Sequence, residues 1–379
     1  MKKLFAALLA ITTLLAAAGC AGRPATMAGK PQEAPGTDPI PVYHPGGDPS
    51  AMEIREAPDT DPIPVYDGEG TLSTGLYAVG SLSSSASAGE EDGLAQTDVT
   101  IVAVTVDENG VIADCVIDAV QAKVNFDGQG QLLTDLSAPV LSKNELGADY
   151  GMGPVSASMG GIGKEWNEQA QALADYVVGK TADEVLGIAV DEATKPADAD
   201  LAASVTISIG GFQQAIAQAV NRARPLGAQA GDELKLVTSN ALSAAEAPEG
   251  AANAVQTDVT IAAVTMNADT ITSCVIDAVQ AQVSFDAQGQ LLTDTSAPVL
   301  SKNDLGADYG MGSVSAAMGG IGKEWNEQAA AFAAYVTGKT LDEVAGIAVD
   351  EAARPADADL SASVTISIGG FQALLEKLR

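Results

Sequence analysis

The stretch Val99-Thr-Ile-Val-Ala-Val-Thr-Val106, Asp107-Glu-Asn-Gly110, Val111-Ile-Ala-Asp-Cys-Val-Ile-Asp-Ala-Val120 reads as strand, turn, strand. Both arms are rich in β-branched residues, and Asp-Glu-Asn-Gly is hairpin chemistry, so the second arm returns antiparallel to the first. Gln121 to Phe126 can extend that arm, and Asp127-Gly-Gln-Gly130 is a further turn. Upstream, Gly75 to Ser81 can supply a first strand. Downstream the period changes: Trp166, Ala170, Leu173 and Val177 share one helical face that Gly179 closes. Thr181-Ala-Asp-Glu184 is a capping box that opens a short helix. Strands precede helices, which predicts an α+β fold, an antiparallel sheet with helices against one face.

The same pattern occurs twice. Gln96-Thr-Asp-Val-Thr-Ile returns at Gln256, Cys115-Val-Ile-Asp-Ala-Val-Gln-Ala at Cys274, and Lys164-Glu-Trp-Asn-Glu-Gln at Lys323. The offset is 160 before the Asn109-Gly110 turn and 159 after it, which places a one-residue deletion in the second copy's turn. Each copy is long enough for its own core, so two tandem repeats are expected, residues 71–223 and 224–379. Glu233 to Thr238 would be the first strand of the second copy, and 224–254 otherwise a connection and a loop.

Ahead of the repeats, Met1-Lys2-Lys3, the apolar run Leu4 to Leu15 and Ala17-Ala18-Gly19-Cys20 form the pattern of a bacterial lipoprotein signal, residues 1–19, with lipid on Cys20. Residues 20–70 read as a Pro-rich, extended linker in which Pro35-Gly-Thr-Asp-Pro-Ile-Pro-Val-Tyr43 returns as Pro58-Asp-Thr-Asp-Pro-Ile-Pro-Val-Tyr66. It serves as a spacer or as a peptide ligand for an aromatic groove. The expected location is the extracytoplasmic face of the cell membrane, held there by the lipid anchor. A formal charge of −31 makes nucleic acid and anionic headgroups poor partners for the body. Cys115 and Cys274 lie in apolar alternating segments and read as buried small hydrophobes. The single histidine, His44, is in the linker, so no His-based catalytic triad, haem signal or zinc spacing can be built. Acid pairs such as Asp183-Glu184 read as helix-start charges.

Two segments carry candidate chemistry. In Asp198-Ala-Asp-Leu-Ala-Ala-Ser-Val-Thr-Ile-Ser-Ile-Gly-Gly-Phe212, repeated at 357–371, Val205, Ile207 and Ile209 alternate with Ser204, Thr206 and Ser208. An extended backbone would bury the first set and present three hydroxyls, just before a glycine-initiated helix whose free N–H groups favour phosphate. In Lys143 to Gly153 and Ser158 to Trp166, repeated near-identically at 302–325, glycines adjoin Tyr150, Met152, Met159 and Trp166. That spacing is neither a Rossmann nor a P-loop fingerprint. It would let a flat ring approach backbone beneath Tyr150, Met152 and Trp166 (Tyr309, Met311 and Trp325), while the bland alternative is that each Trp anchors a helix to the core.

The hydroxyl stretch resembles the attachment signal of the FMN-binding domain family, roughly Asp-x-x-Ser-Gly-Ala-Thr-x-Thr, in which a flavin transferase links FMN to a Thr hydroxyl through its phosphate. Two registers fit: Asp200 to Thr206 (Asp359 to Thr365), or Asp198 to Ser204 (Asp357 to Ser363). Thr206 and Thr365 are preferred because Thr is the family's usual acceptor. With the Asp-Ala-Val-Gln-Ala strand and the Tyr/Met/Trp segment, both copies resemble the flavinylated lipoproteins that Gram-positive bacteria use in extracellular electron transfer. The resemblance implies two covalent FMN groups, a membrane quinol-linked electron donor, extracellular electron acceptors, and an electron carrier rather than a substrate-specific enzyme. A duplicated surface binding module without cofactor is the alternative.

Overall fold

The computed structural model describes residues 70–379. The expected lipoprotein signal, Cys20, His44 and nearly all of the expected linker lie outside the described residues. The protein is α+β, with two antiparallel sheets and helices against them. Strands β1 (Ser73–Ser81), β2 (Gly93–Val106) and β3 (Ile112–Phe126) form a meander, as do β4 (Glu233–Ala245), β5 (Asn253–Asn267) and β6 (Thr270–Phe285). A two-residue strand β7 (Val299–Leu300) joins the first sheet, giving the orders β3-β2-β1-β7 and β4-β5-β6. The predicted β2/β3 hairpin forms because Asp107 Oδ1 accepts from the backbone N–H groups of Asn109 and Val111 while Gly110 takes φ 73°. The second copy's shorter turn pairs Asn267 directly with Thr270 and puts Ala268 at φ 54°, where a side chain is disfavoured. Both hairpins bulge one step from the turn, at Thr105/Val106 and Thr265/Met266.

Residues 127–223 supply helices α1 (Lys143–Leu146), α2 (Met152–Ser158), α3 (Trp166–Val177), α4 (Ala182–Leu186), α5 (Ala199–Ala202) and α6 (Gly210–Asn221). Their counterparts are α7 (Lys302–Leu305), α8 (Met311–Ala317), α9 (Trp325–Val336), α10 (Leu341–Ala345), α11 (Ala358–Ser361) and α12 (Gly369–Glu376). The Thr181 and Thr340 capping boxes form as expected and open α4 and α10. Trp166, Ala170, Leu173 and Val177 of α3 are buried on one face, and Gly179 follows at φ 81°. Gly75 lets α6 lie on β1, since a Cβ there would stand 2.0 Å from the carbonyl oxygen of Ala219.

Strand alternation sorts the core into layers. Val102, Val104, Val106 and Ile117 face the helices, whereas Val99, Ile101 and Ala103 pack against Val259, Ile261 and Ala263 of the other sheet. Each sheet is therefore covered on both faces, which accounts for strands more continuously apolar than a one-faced sheet needs. Cys115 and Cys274 are buried free thiols in separate helix-side clusters, with burial pushing the Cys274 thiol up to about 12 and Cys115 higher.

The two halves meet through reciprocal contacts. Val299 and Leu300 pair with Gly80 and Val79, and the equivalent Val140 bridges Asn240, whose Nδ2 donates to the Val140 carbonyl at 3.1 Å. Phe126 stacks on its own counterpart Phe285, centroids 3.8 Å apart and planes 4° apart. Arg222 pairs with Asp304 at 3.0 Å, and Lys377 with Glu145, the residue equivalent to Asp304, at 2.7 Å. The connection itself belongs to the body: Arg224 and Gln229 bridge Thr74 and Thr71 of the first half. The loop expected within 224–254 shrinks to residues 246–252, because β4 pairs with β5 along its whole length, out to Ala245 opposite Ala254. Among the described residues, no helix is long and apolar enough to cross a membrane.

Candidate functional site

The hydroxyl segment is not the strand that its alternation predicts. The Asp198 carboxylate accepts from the N–H groups of Asp200 and Leu201, which opens the short helix α5, and residues 203–209 then run as irregular chain into α6. No strand lies alongside to pair with it. Its backbone donors are taken by a side chain instead: Gln169 Oε1, on α3, accepts from Thr206 N at 2.8 Å, Ile207 N at 3.2 Å and Thr206 Oγ1 at 3.2 Å. Gln169 Nε2 donates to the Lys164 carbonyl, which fixes the amide in that orientation. Gln328 repeats the arrangement with Thr365 N, Ile366 N and Thr365 Oγ1 at 2.8, 3.2 and 3.1 Å.

Val205 and Ile209 are fully buried, as the alternation predicts, but the three hydroxyls do not form one row. Thr206 and Ser204 are half-buried, and exposed Ser208 bonds the Thr194 hydroxyl. Thr365 and Ser363 match them, while the position of Thr194 is taken by Ala353. Asp200 and Asp359 stand exposed in the first turns of α5 and α11. Gln169, which no sequence argument singled out, closes the repeated Lys164-Glu-Trp-Asn-Glu-Gln. A glutamine on the apolar face of a helix is the signal that could have found it.

The second segment converges on the same end of α3. Tyr150 closes a 3₁₀ turn, Gly151 takes φ 76°, and Met152 N donates to Glu165 Oε2 at 2.8 Å. A side chain at Gly153 would strike the Glu165 carboxylate at 2.8 Å, so the glycine is what lets α2 rest there. Lys143 Nζ lies 4.7 Å from the Tyr150 ring centre and 5.0 Å from that of Trp166, and Lys302 repeats this over Tyr309 and Trp325 at 4.7 and 5.1 Å. Trp166 is 5% exposed and tilts against Phe212 of α6, while Trp325 is 8% exposed and meets Phe371 edge-on. Of the two readings of these tryptophans, helix anchor describes their surroundings. Tyr150 and Met152 (Tyr309 and Met311) are only partly buried, packed on the same cluster as Ile207 (Ile366). The structure thus gathers Tyr150, Met152, Trp166 and the neighbour of Thr206 around one core and leaves Asp200 outside it.

Asp118 and Asp277 hold this arrangement from beneath. Asp118 Oδ1 accepts from Ala119 N at 2.7 Å and Asn144 N at 3.0 Å, while Asn144 Nδ2 donates to the Ile117 carbonyl. That pins α1 and so places Lys143 beside its aromatic partners. Burial pushes the Asp118 carboxyl up to about 6 against the lowering effect of hydrogen bonds from Ser142, Asn144 and Ala119, and Asp277 up to about 7. Both lie in the repeated Asp-Ala-Val-Gln-Ala strand, where a lone carboxylate inside an apolar run is the signal that could have found them.

A phosphate-linked flavin fits one end of this site well. The α6 N-terminus begins four residues after Thr206 with no side-chain cap, and its second residue, Gly211, is exposed with nothing within 4 Å of where a Cβ would stand, so a phosphate could approach this helix start. The equivalent Gly370 of α12 is equally open. For the ring, Tyr150 and Met152 are partly accessible and Val155 and Met159 of the adjoining segment are 59% and 83% exposed, whereas Trp166 is enclosed. No known family, curated protein or solved structure matches the chain.

Proposed function

We propose that the protein is a lipid-anchored extracytoplasmic electron carrier, with FMN joined by phosphoester bonds to Thr206 and Thr365, relaying electrons from a membrane quinol-linked donor to extracellular acceptors. The two halves serve as tandem FMN-binding-like repeats behind a lipoprotein signal and a Pro-rich spacer. The observation that carries this reading is the paired placement of Thr206 and Thr365: half-buried, each held by a glutamine, each just ahead of an uncapped helix start. Gln169 fixes its segment by three bonds, of which esterification of Oγ1 removes only one, so the loop keeps its shape when loaded. The bound flavin supplies the redox chemistry, and the chain supplies attachment, a helix start for the phosphate and partial cover from Tyr150 and Met152.

A binding module without cofactor is the competing account, favoured by the exposed Met159 and Met318 at equivalent tips, 83% and 80% exposed. Co-production with a flavin transferase, followed by denaturation and gel filtration, separates the two. The carrier account predicts yellow colour that stays with the unfolded chain, half of it lost in Thr206→Ala or Thr365→Ala and all of it in the double variant, with Ser204→Ala unchanged. Colour that leaves on denaturation, or never appears, overturns it.

A further inference from the structure

Methionine is an apolar side chain with a soft, oxidisable thioether, and where the fold puts that sulfur decides whether it can react. Five methionines lie among the described residues. Met266 is 3% exposed, and Met152 and Met311 pack against the helix-side clusters. Met159 and Met318, by contrast, are 83% and 80% exposed and belong to none of the apolar clusters.

Their exposure is built into the backbone. Each methionine follows a short helix, α2 or α8, and its own N–H donates to the carbonyls of Val155 and Ser156, or of Val314 and Ser315. One serine then holds the loop beyond it. The Ser156 carbonyl accepts from Gly161 N at 2.8 Å and the Ser156 hydroxyl from Gly163 N at 3.3 Å, with Gly160 between them and the methionine at φ 76°. Ser315 repeats the arrangement with Gly320 N at 2.8 Å and Gly322 N at 3.3 Å, and Gly319 takes φ 76°. A backbone pinned on both sides therefore presents a thioether to solvent at the same place in each half, beside the exposed Val155 or Val314.

We propose that Met159 and Met318 are reversible oxidation sites, each taking one oxygen atom from hydrogen peroxide. The sulfur lone pair attacks the peroxide, the O–O bond breaks, and the thioether becomes a sulfoxide while the peroxide is reduced to water. Both tips turn from apolar to polar, and the fold stands because neither side chain contributes to the core. The reverse step consumes two thiols, which become a disulfide as the sulfoxide oxygen leaves as water. Cys115 and Cys274 are buried in separate clusters, so those thiols belong to an external reductase. This does not depend on flavin attachment.

The test exposes the full-length protein to hydrogen peroxide and follows each methionine by peptide mass spectrometry, with fragmentation separating Met152 from Met159 and Met311 from Met318. Oxidation of Met159 and Met318 is expected to run at least about tenfold faster than that of Met152, Met311 and Met266. With only the fast pair oxidised, the circular-dichroism melt should be unchanged. Elution from a hydrophobic-interaction column should move earlier, by more than in a Met159→Leu/Met318→Leu variant treated in the same way. The two epimer-specific methionine sulfoxide reductases, with dithiothreitol, should remove both oxygens. Comparable rates at Met152, Met311 or Met266, a melting temperature lowered by oxidation of the fast pair, an equal elution shift in the leucine variant, or sulfoxides that the reductases leave in place would each overturn the proposal.

Discussion

The two halves agree in their interior geometry and differ at their edges, and the difference separates what the architecture requires from what each half has acquired. Gln169 and Gln328 hold their threonines with bond lengths matching to about 0.1 Å, and Lys143 and Lys302 sit at matching heights over their tyrosines. The hairpin turn, the cross-half ion pair and the outer face of the third helix do not match. Arg222 meets Asp304 with both side chains largely buried, whereas Lys377 meets Glu145 at an edge where they are 41% and 32% exposed. The same join between halves is therefore closed once by a desolvated pair and once by a solvated one.

The largest effect expected follows from that contrast. Arg222→Ala removes the guanidinium that pairs with the largely buried Asp304 carboxylate and lies 4.4 Å over the Tyr77 ring, so it should cost about 3 kcal/mol. Lys377→Ala should cost less, about 1.5 kcal/mol, since its ion pair is screened by water and the main loss is the ammonium's 2.6 Å bond to the Thr238 carbonyl. Urea unfolding of both variants checks the asymmetry, and equal losses would break it. A single transition is expected for the parent, because the inner layer is shared between the halves.

Next come the buried aspartates. Their carboxyls are raised in the folded state, so the stability they contribute is fully present below the ordinary carboxylate range. It is lost as pH rises through about 6 for Asp118 and about 7 for Asp277. Asp118→Asn and Asp277→Asn remove the ionisation while keeping an oxygen for the backbone donors. The pair should flatten the pH dependence of the melting temperature between about pH 4 and 7 relative to the parent and add about 2 kcal/mol at pH 8. The Asp277 variant should have the larger share.

Gln169→Ala and Gln328→Ala should each cost about 1.5 kcal/mol and expose the Thr206/Ile207 or Thr365/Ile366 amides to hydrogen exchange. The two halves should respond alike here. The smallest effect belongs to the turn alone: Ala268→Gly relieves a positive φ and should stabilise by about 0.5 kcal/mol, whereas the first half already has Gly110. Thermal melts resolve the sign.

Strand positions, capping boxes and the third helix of each half were legible because they depend on local pattern: β-branched alternation, Thr-x-x-Glu, and Trp166 to Val177 at helical spacing. The deleted turn residue was legible from the change of offset, and it appears as Ala268 forced into the left-handed region. The hydroxyl segment was misread because alternation reports which residues are buried, not which partner takes the backbone donors; Val205 and Ile209 are inside, but a glutamine side chain stands where a strand was expected. The sharing of strands and core between halves was not legible, since repetition reveals that two segments are alike and not that they touch. Phe126 on Phe285 is the case in point.

The central claim concerns two alcohols, and mass spectrometry of peptides from protein purified out of its native host tests it most directly. The account predicts that the peptides carrying Thr206 and Thr365 each bear the added mass of one phosphoester-linked FMN, with fragmentation placing it on those residues. Both peptides at their unmodified mass would contradict it.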